Sequence, residues 1–126
     1  MKTLKLGIAE YDLMKARTLA IARGEYKPAR GEPKVWFTSV ESFAKVLSQR
    51  NRELLTLIAR ERPDSITELA EISGRKKSNL SRTLKTMARY GLVELEKGRR
   101  GSIAPRAPYN QVRIDMLLNP VPGNMT

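Results

Sequence analysis

The sequence predicts an α+β fold that is mainly α, and three observations lead there. Apolar residues recur at three- and four-residue spacing through most of the chain before Gly91. A hydroxyl residue followed three positions later by glutamate, Thr38 with Glu41 and Ser65 with Glu68, marks two helix starts. After Gly91 the period falls to two, with Leu92, Val93 and Leu95 set around Glu94 and Glu96, which is the pattern of a strand.

The elements follow in order. Residues 9–23 hold strong helix formers and no Gly or Pro, with a stripe through Tyr11, Met14 or Lys15, Thr18 or Leu19, and Ile21. Gly24 is a suitable stop, and 24–34 contains two Gly and two Pro, a linker composition. Val35, Trp36 and Phe37 form a short extended apolar segment whose rings suit the core, with base stacking as the alternative. A second helix starts near Thr38 and buries Val40, Phe43, Ala44, Val46 and Leu47. Ser48 to Asn51 reads as a corner. A third helix turns Leu54, Leu55, Leu57 and Ile58 inward and ends at Arg62, because Pro63 disfavours helix at the residue before it.

Ser65 then caps a short helix with Ile66, Leu69, Ala70 and Ile72 toward the core, and Ser73-Gly74 reverses the chain. A longer helix over about Lys77 to Tyr90 has Leu80, Leu84, Met87 and Ala88 as its apolar stripe. After the strand at Leu92 to Glu96, Lys97 to Pro108 reads as a basic loop and Tyr109 to Leu117 as a returning strand. Asn119 onward has no folding pattern.

Composition narrows the chemistry. The 126 residues suit one domain, or one domain with a short arm, and are 40% hydrophobic and 29% charged. Roughly two thirds of the surface of such a chain is buried on folding, enough for a core without crosslinks. There is no Cys, which excludes disulfides and thiolate chemistry, and no His, which removes the commonest metal ligand and the usual general base. No metal or other cofactor is expected. No apolar run is long enough for a membrane span and no secretory leader is evident, so the expected compartment is the cytoplasm.

The net charge of +11 points to polyanionic partners, and it is unevenly placed. Residues 75–113 carry 11 Lys and Arg against Glu94 and Glu96 alone. A charge run also suits a plain solvated face, so its secondary structure matters. Segment 65–91 has the layout of a helix-turn-helix: a short capped helix, a tight turn G-R-K-K, and a longer helix without an acidic residue. Leu80 and Leu84 pin that second helix, which leaves Ser78, Asn79, Ser81, Arg82, Lys85 and Arg89 on or near its outer side, where a major groove would lie. A hairpin directly after such a helix, with Lys97-Gly98-Arg99-Arg100-Gly101 at its tip, is a wing. The fold reads as a winged helix-turn-helix with an extra N-terminal helix and a β-hairpin wing.

The stretch from Ser65, "SITELAEISGRKKSNLSRTLKTMARYGLVELEKGRRG", resembles MarR-like winged helix-turn-helix transcriptional regulators. The likeness rests on E-L-A before the turn, the S-N-L-S-R-T-L-K helix and the G-L-V-E-L that opens the wing. More loosely, the stretch from Glu25 to Ala59 is similar to small regulators of that group, some of them antitoxin-like. The resemblance implies a homodimer that binds double-stranded DNA, with Ser78, Asn79, Ser81, Arg82 and Lys85 in the reading helix and Arg99 and Arg100 in the wing. The chain departs from that group in lacking a long C-terminal helix, which removes the usual frame of a small-molecule sensor.

Roles follow from chemistry. Arg82 suits the bidentate fork to guanine or a phosphate clamp. Asn79 suits adenine or a helix cap. Ser78 and Ser81 suit phosphate, as do Lys76, Lys77, Lys85 and Arg89. Arg99 and Arg100, with Arg106, suit the wing.

The expected organisation is an N-terminal arm and linker for dimerisation (1–34), a DNA-binding domain (35–117) and a flexible tail (118–126). The expected function is a sequence-specific regulator: a dimeric repressor on a pseudo-palindromic operator, or an antitoxin repressing its own operon beside a cognate toxin. The alternative is a nucleic-acid-binding protein, RNA or chromosomal, without sequence preference. Catalysis is not expected, since the carboxylates are scattered and Ser81 with Lys85, one turn apart, has no pocket signal.

Overall fold

The computed structural model describes residues 2–120. The chain is α+β, and its contacts divide it into two units. Among the described residues, one gathers 2–4 with Val46–Gln111; the other is Lys5–Lys45 with 112–120. These units do not follow the expected boundary at 34/35. Of the expected tail at 118–126, residues 121–126 lie outside the described residues.

The larger unit is built on three helices. Helix α3 (Gln49–Glu61) starts at Ser48, whose hydroxyl accepts from the Asn51 amide, so the expected corner is a helix cap. Leu54 and Ile58 are buried from it, while Leu55 and Leu57 are only half-buried. It ends as expected before Pro63. Helix α4 (Ile66–Ser73) is capped by Ser65, which accepts from the Glu68 amide; the Glu68 carboxylate reaches back to the Asp64 amide. Gly74, at φ 73°, stops it in the left-handed region that disfavours a β-carbon. Leu69 is fully buried, but Ile72, expected inside, is 44% exposed.

Helix α5 (Lys77–Arg89) buries Leu80, Leu84 and Met87 completely, three residues at helical spacing that fix its orientation. Leu92 and Val93 are buried ahead of the first hairpin strand rather than within it. That hairpin is β3 (Glu94–Lys97) against β4 (Ile103–Arg106), antiparallel, with Glu96 opposite Ala104 and Lys97 opposite Ile103. The returning strand therefore comes earlier than expected. Pro105 obscures it, because a proline demotes a run of residues as a strand. It is tolerated here in a two-stranded sheet, where both strands are edges.

The second unit holds the unexpected part. Strand β1 (Thr3–Ile8), which lies in this unit from Lys5 on, is followed by helix α1 (Tyr11–Ala22) and strand β2 (Val35–Phe37), parallel to β1 with Gly7 opposite Trp36. The extra N-terminal helix is thus the crossover of a β-α-β unit and not an isolated arm. Strand β5 (Gln111–Met116), expected to close the hairpin, instead flanks β1, giving the order β2-β1-β5.

Helix α2 (Val40–Val46) follows β2 and starts at Ser39, whose hydroxyl accepts from the Ser42 amide; Thr38 and Glu41 are not its capping pair. Val40, expected inside, is 48% exposed. Phe37 is buried and meets Phe43 edge to face at 5.5 Å.

Arg17 is the one charged side chain buried among the described residues. It pairs with Glu32 at 3.1 Å and lies 4.9 Å from the Trp36 ring centroid. The Trp36 indole donates to the Pro33 carbonyl at 3.0 Å, so the ring is held within its own unit. The expected α1 stripe faces outward: Tyr11 is 67% and Leu19 41% exposed.

Candidate functional site

The basic run is organised by α5. Its core side fixes which residues point away. Counting from Ser78, positions four, seven and eleven further on are Arg82, Lys85 and Arg89, so these four share the face opposite Leu80, Leu84 and Met87. All four are exposed. Asn79 flanks this face and is exposed; Ser81 flanks the other side and is half-buried. Lys76 and Lys77 are exposed at the start of the helix, where no acidic residue occupies the first turn.

Asn79 does not cap the helix. The cap position is Lys76, without a side-chain hydrogen bond, and Asn79 Oδ1 accepts from Arg82 Nη2 at 2.8 Å. Arg82 thereby spends one of five donors and remains exposed.

The hairpin tip is anchored. Gly98 passes so close to the α3–α4 connection that a β-carbon there would sit 2.2 Å from the Asp64 carbonyl oxygen. Ser102 donates to the same oxygen at 3.0 Å. Asp64 also takes Arg99 at 3.6 Å and Arg106 at 3.9 Å. These contacts separate the three arginines assigned to the wing. Arg106 turns inward: its side chain is 15% exposed, it donates to the Pro63 carbonyl at 2.7 Å, and it lies 3.8 Å from Glu96. Its contacts are therefore internal, unlike those of Arg99 and Arg100, beside which the sequence reading sets it. Arg99 is exposed and partly neutralised by Asp64. Arg100, at φ 56°, is exposed and forms no ion pair among the described residues.

The structure therefore brings Ser78, Arg82, Lys85 and Arg89 onto one face, with Asn79 beside them, and leaves Arg99 and Arg100 on the hairpin tip. Sequence reasoning missed Arg75. It sits in the turn between α4 and α5, half-buried, with its Nε lacking any hydrogen-bond partner. Burial, and then the neighbouring Arg50 charge, lower its pKa. The only signal in the sequence was its place in the G-R-K-K turn.

Among the described residues, no group of three or more acidic, His or Cys side chains could hold a metal, and no helix is long and apolar enough to cross a membrane.

No curated protein and no solved structure matches the chain. One family model, HVO_A0114, matches residues 46–114, more than half of the length. The match begins where the main segment of the larger unit begins and covers α3, α4, α5 and the hairpin. The chain accordingly belongs to the HVO_A0114 family.

Proposed function

We propose that the unit from Val46 to Gln111 is a winged helix-turn-helix and that the protein binds double-stranded DNA as a transcriptional regulator. One observation carries the reading. The face of α5 opposite its buried leucines holds Ser78, Arg82, Lys85 and Arg89, and the helix has no acidic residue. A helix held by its core side, with cations and hydroxyls alone on its outer side, suits insertion in a major groove. The hairpin strands follow directly, and the free Arg100 at their tip suits flanking phosphate or a narrow minor groove. Affinity in this reading comes from phosphate neutralisation by Lys76, Lys77, Lys85, Arg89 and Arg100, and choice of sequence from Arg82 and Asn79.

The protein acts as a cytoplasmic homodimer on a pseudo-palindrome, with half-sites ~34 Å apart, and represses by occupying the operator. The exposed Tyr11 and Leu19 of α1, which with Met14 and Trp36 line a groove of about 340 Å³, support a second copy as partner. A cognate toxin would be a further partner in the antitoxin version of this reading. The role is binding and not catalysis.

The test is selection of bound duplexes from a random pool, followed by anisotropy against unrelated DNA. A selected duplex should outcompete unrelated DNA by about a thousandfold or more. A ratio near one would replace the regulator with a coating protein that reads charge alone.

A further inference from the structure

A second basic feature lies away from the outer face of α5. The α3 residues Arg50, Leu57 and Arg60 and the α4 end, Ile72 to Arg75, line a cleft of about 490 Å³ in the larger unit. Its cations are Arg50, Arg60 and Arg75; its one carboxylate, Glu53, lies 3.4 Å from Gln49 Nε2 and forms no ion pair among the described residues. Arg60 is paired with Glu61 at 3.1 Å. Arg50 and Arg75 form no ion pair among the described residues.

Arg75 is the unusual one. Its two terminal nitrogens reach only Asn51 Oδ1 and Thr83 Oγ1, both at 3.5 Å, beyond the usual hydrogen-bond range. Its Nε is buried and orphaned. A half-buried guanidinium that shares its cleft with another guanidinium, with long neutral contacts and no ion pair of its own, is unfavourable unless an anion completes it.

We propose that Arg50 and Arg75 form an oxyanion site that takes a phosphate group at the cleft between α3 and the α4–α5 turn. The group has two possible sources: the backbone of bound duplex, since Arg75 immediately precedes Lys76 and Lys77, or a free phosphate-bearing ligand. The duplex source rests on the DNA-binding reading; the free source does not.

The experiment follows the Arg Nε–Hε signals of the full chain by NMR. Sodium phosphate is titrated against sodium chloride at matched ionic strength, and then a short duplex is added. A saturable Arg75 shift with phosphate, larger than that of exposed Arg23 and lost in Arg50→Gln, supports the free source. No response to phosphate, an Arg75 shift with duplex, and a salt slope of log K reduced by about one in Arg75→Gln support the backbone source. Arg75 silent in both arms overturns the site. If wild-type protein binds no duplex at all, the DNA-binding reading falls and the phosphate arm alone decides. Arg75→Gln should unfold in chloride at the wild-type temperature or above, because it removes a half-buried cation that has no ion pair. A clear fall in that temperature would mean that the guanidinium is a structural brace and would overturn the proposal.

Discussion

Arg82 Nη2 lies 2.8 Å from Asn79 Oδ1 on the exposed face of α5. The pair restrains two long polar side chains before any ligand arrives, and restraint lowers the ordering penalty of binding. Replacing Arg82 with Ala should weaken binding of a selected duplex by about 1–3 kcal/mol and relax base choice, measured by anisotropy and repeat selection. Thermal stability should hardly move, since the side chain is exposed. Asn79→Ala should weaken binding less, and the double variant should lose less than the sum of the two, because the residues act as one unit.

The two ends of the hairpin's basic loop should behave oppositely. Arg106→Ala removes a packed side chain that holds the Pro63 carbonyl and Asp64, and should destabilise by about 1–3 kcal/mol in urea unfolding. Arg100→Ala should leave stability nearly unchanged and reduce the salt slope of DNA binding by about one. Equal effects of the two on DNA binding would contradict the inward placement of Arg106.

Leu84→Ala should be severe, costing about 2–5 kcal/mol, because the side chain is wholly buried and α5 depends on it. Ile72→Ser should cost much less, since that residue is 44% exposed. Denaturant midpoints check both.

Dimerisation through α1 has its own test. Tyr11→Ser with Leu19→Ser should give monomers in sedimentation without unfolding, because both residues are exposed. Deleting the first 24 residues would be a poor test, as it removes β1, the central strand of its sheet.

The Arg17–Glu32–Tyr26 cluster predicts a pH dependence. Burial raises the Glu32 pKa, but hydrogen bonds from Tyr26 and Arg17 outweigh it, and the net shift is downward. The Tyr26 pKa is raised, chiefly by its hydrogen bond to Glu32 and then by burial. A lowered acid stabilises above its unfolded pKa and loses that contribution as pH falls through the folded value. A raised phenol stabilises below its unfolded pKa and loses that contribution as pH rises through the folded value. Stability of this unit should therefore decline below the carboxylate range and above the phenol range. Glu32→Gln should flatten the acid limb and lower the plateau, seen in thermal unfolding against pH.

Much of the helical part was legible because local chemistry decides it. Ser65, Gly74, Leu80 and Leu84 mark a cap, a stop and a core stripe by sequence alone. The sheet was less so. Leu4, Leu6 and Ile8 do alternate with Thr3, Lys5 and Gly7, but six residues at a chain end carry little weight without a partner in sight. The fate of β5 was illegible for the same reason, since strand pairing is a long-range choice between equally suitable neighbours. The stripe of α1 was legible but its inward side was not, because that side is Arg17 and Ala20, an arginine and a small residue, and no hydropathy pattern announces them. At the candidate site the face of α5 was readable from spacing; the inward turn of Arg106 depended on Asp64, far away in sequence.

A side chain at Gly7 would fall 2.2 Å from the Trp36 ring, so the indole seals directly against the sheet. Trp36 is also the sole tryptophan of the chain. Its emission consequently reports on the β1–α1–β2 unit alone, whereas α3, α4 and α5 supply most of the far-ultraviolet dichroism. Recording both signals through one denaturant titration separates concerted melting from sequential melting without a label.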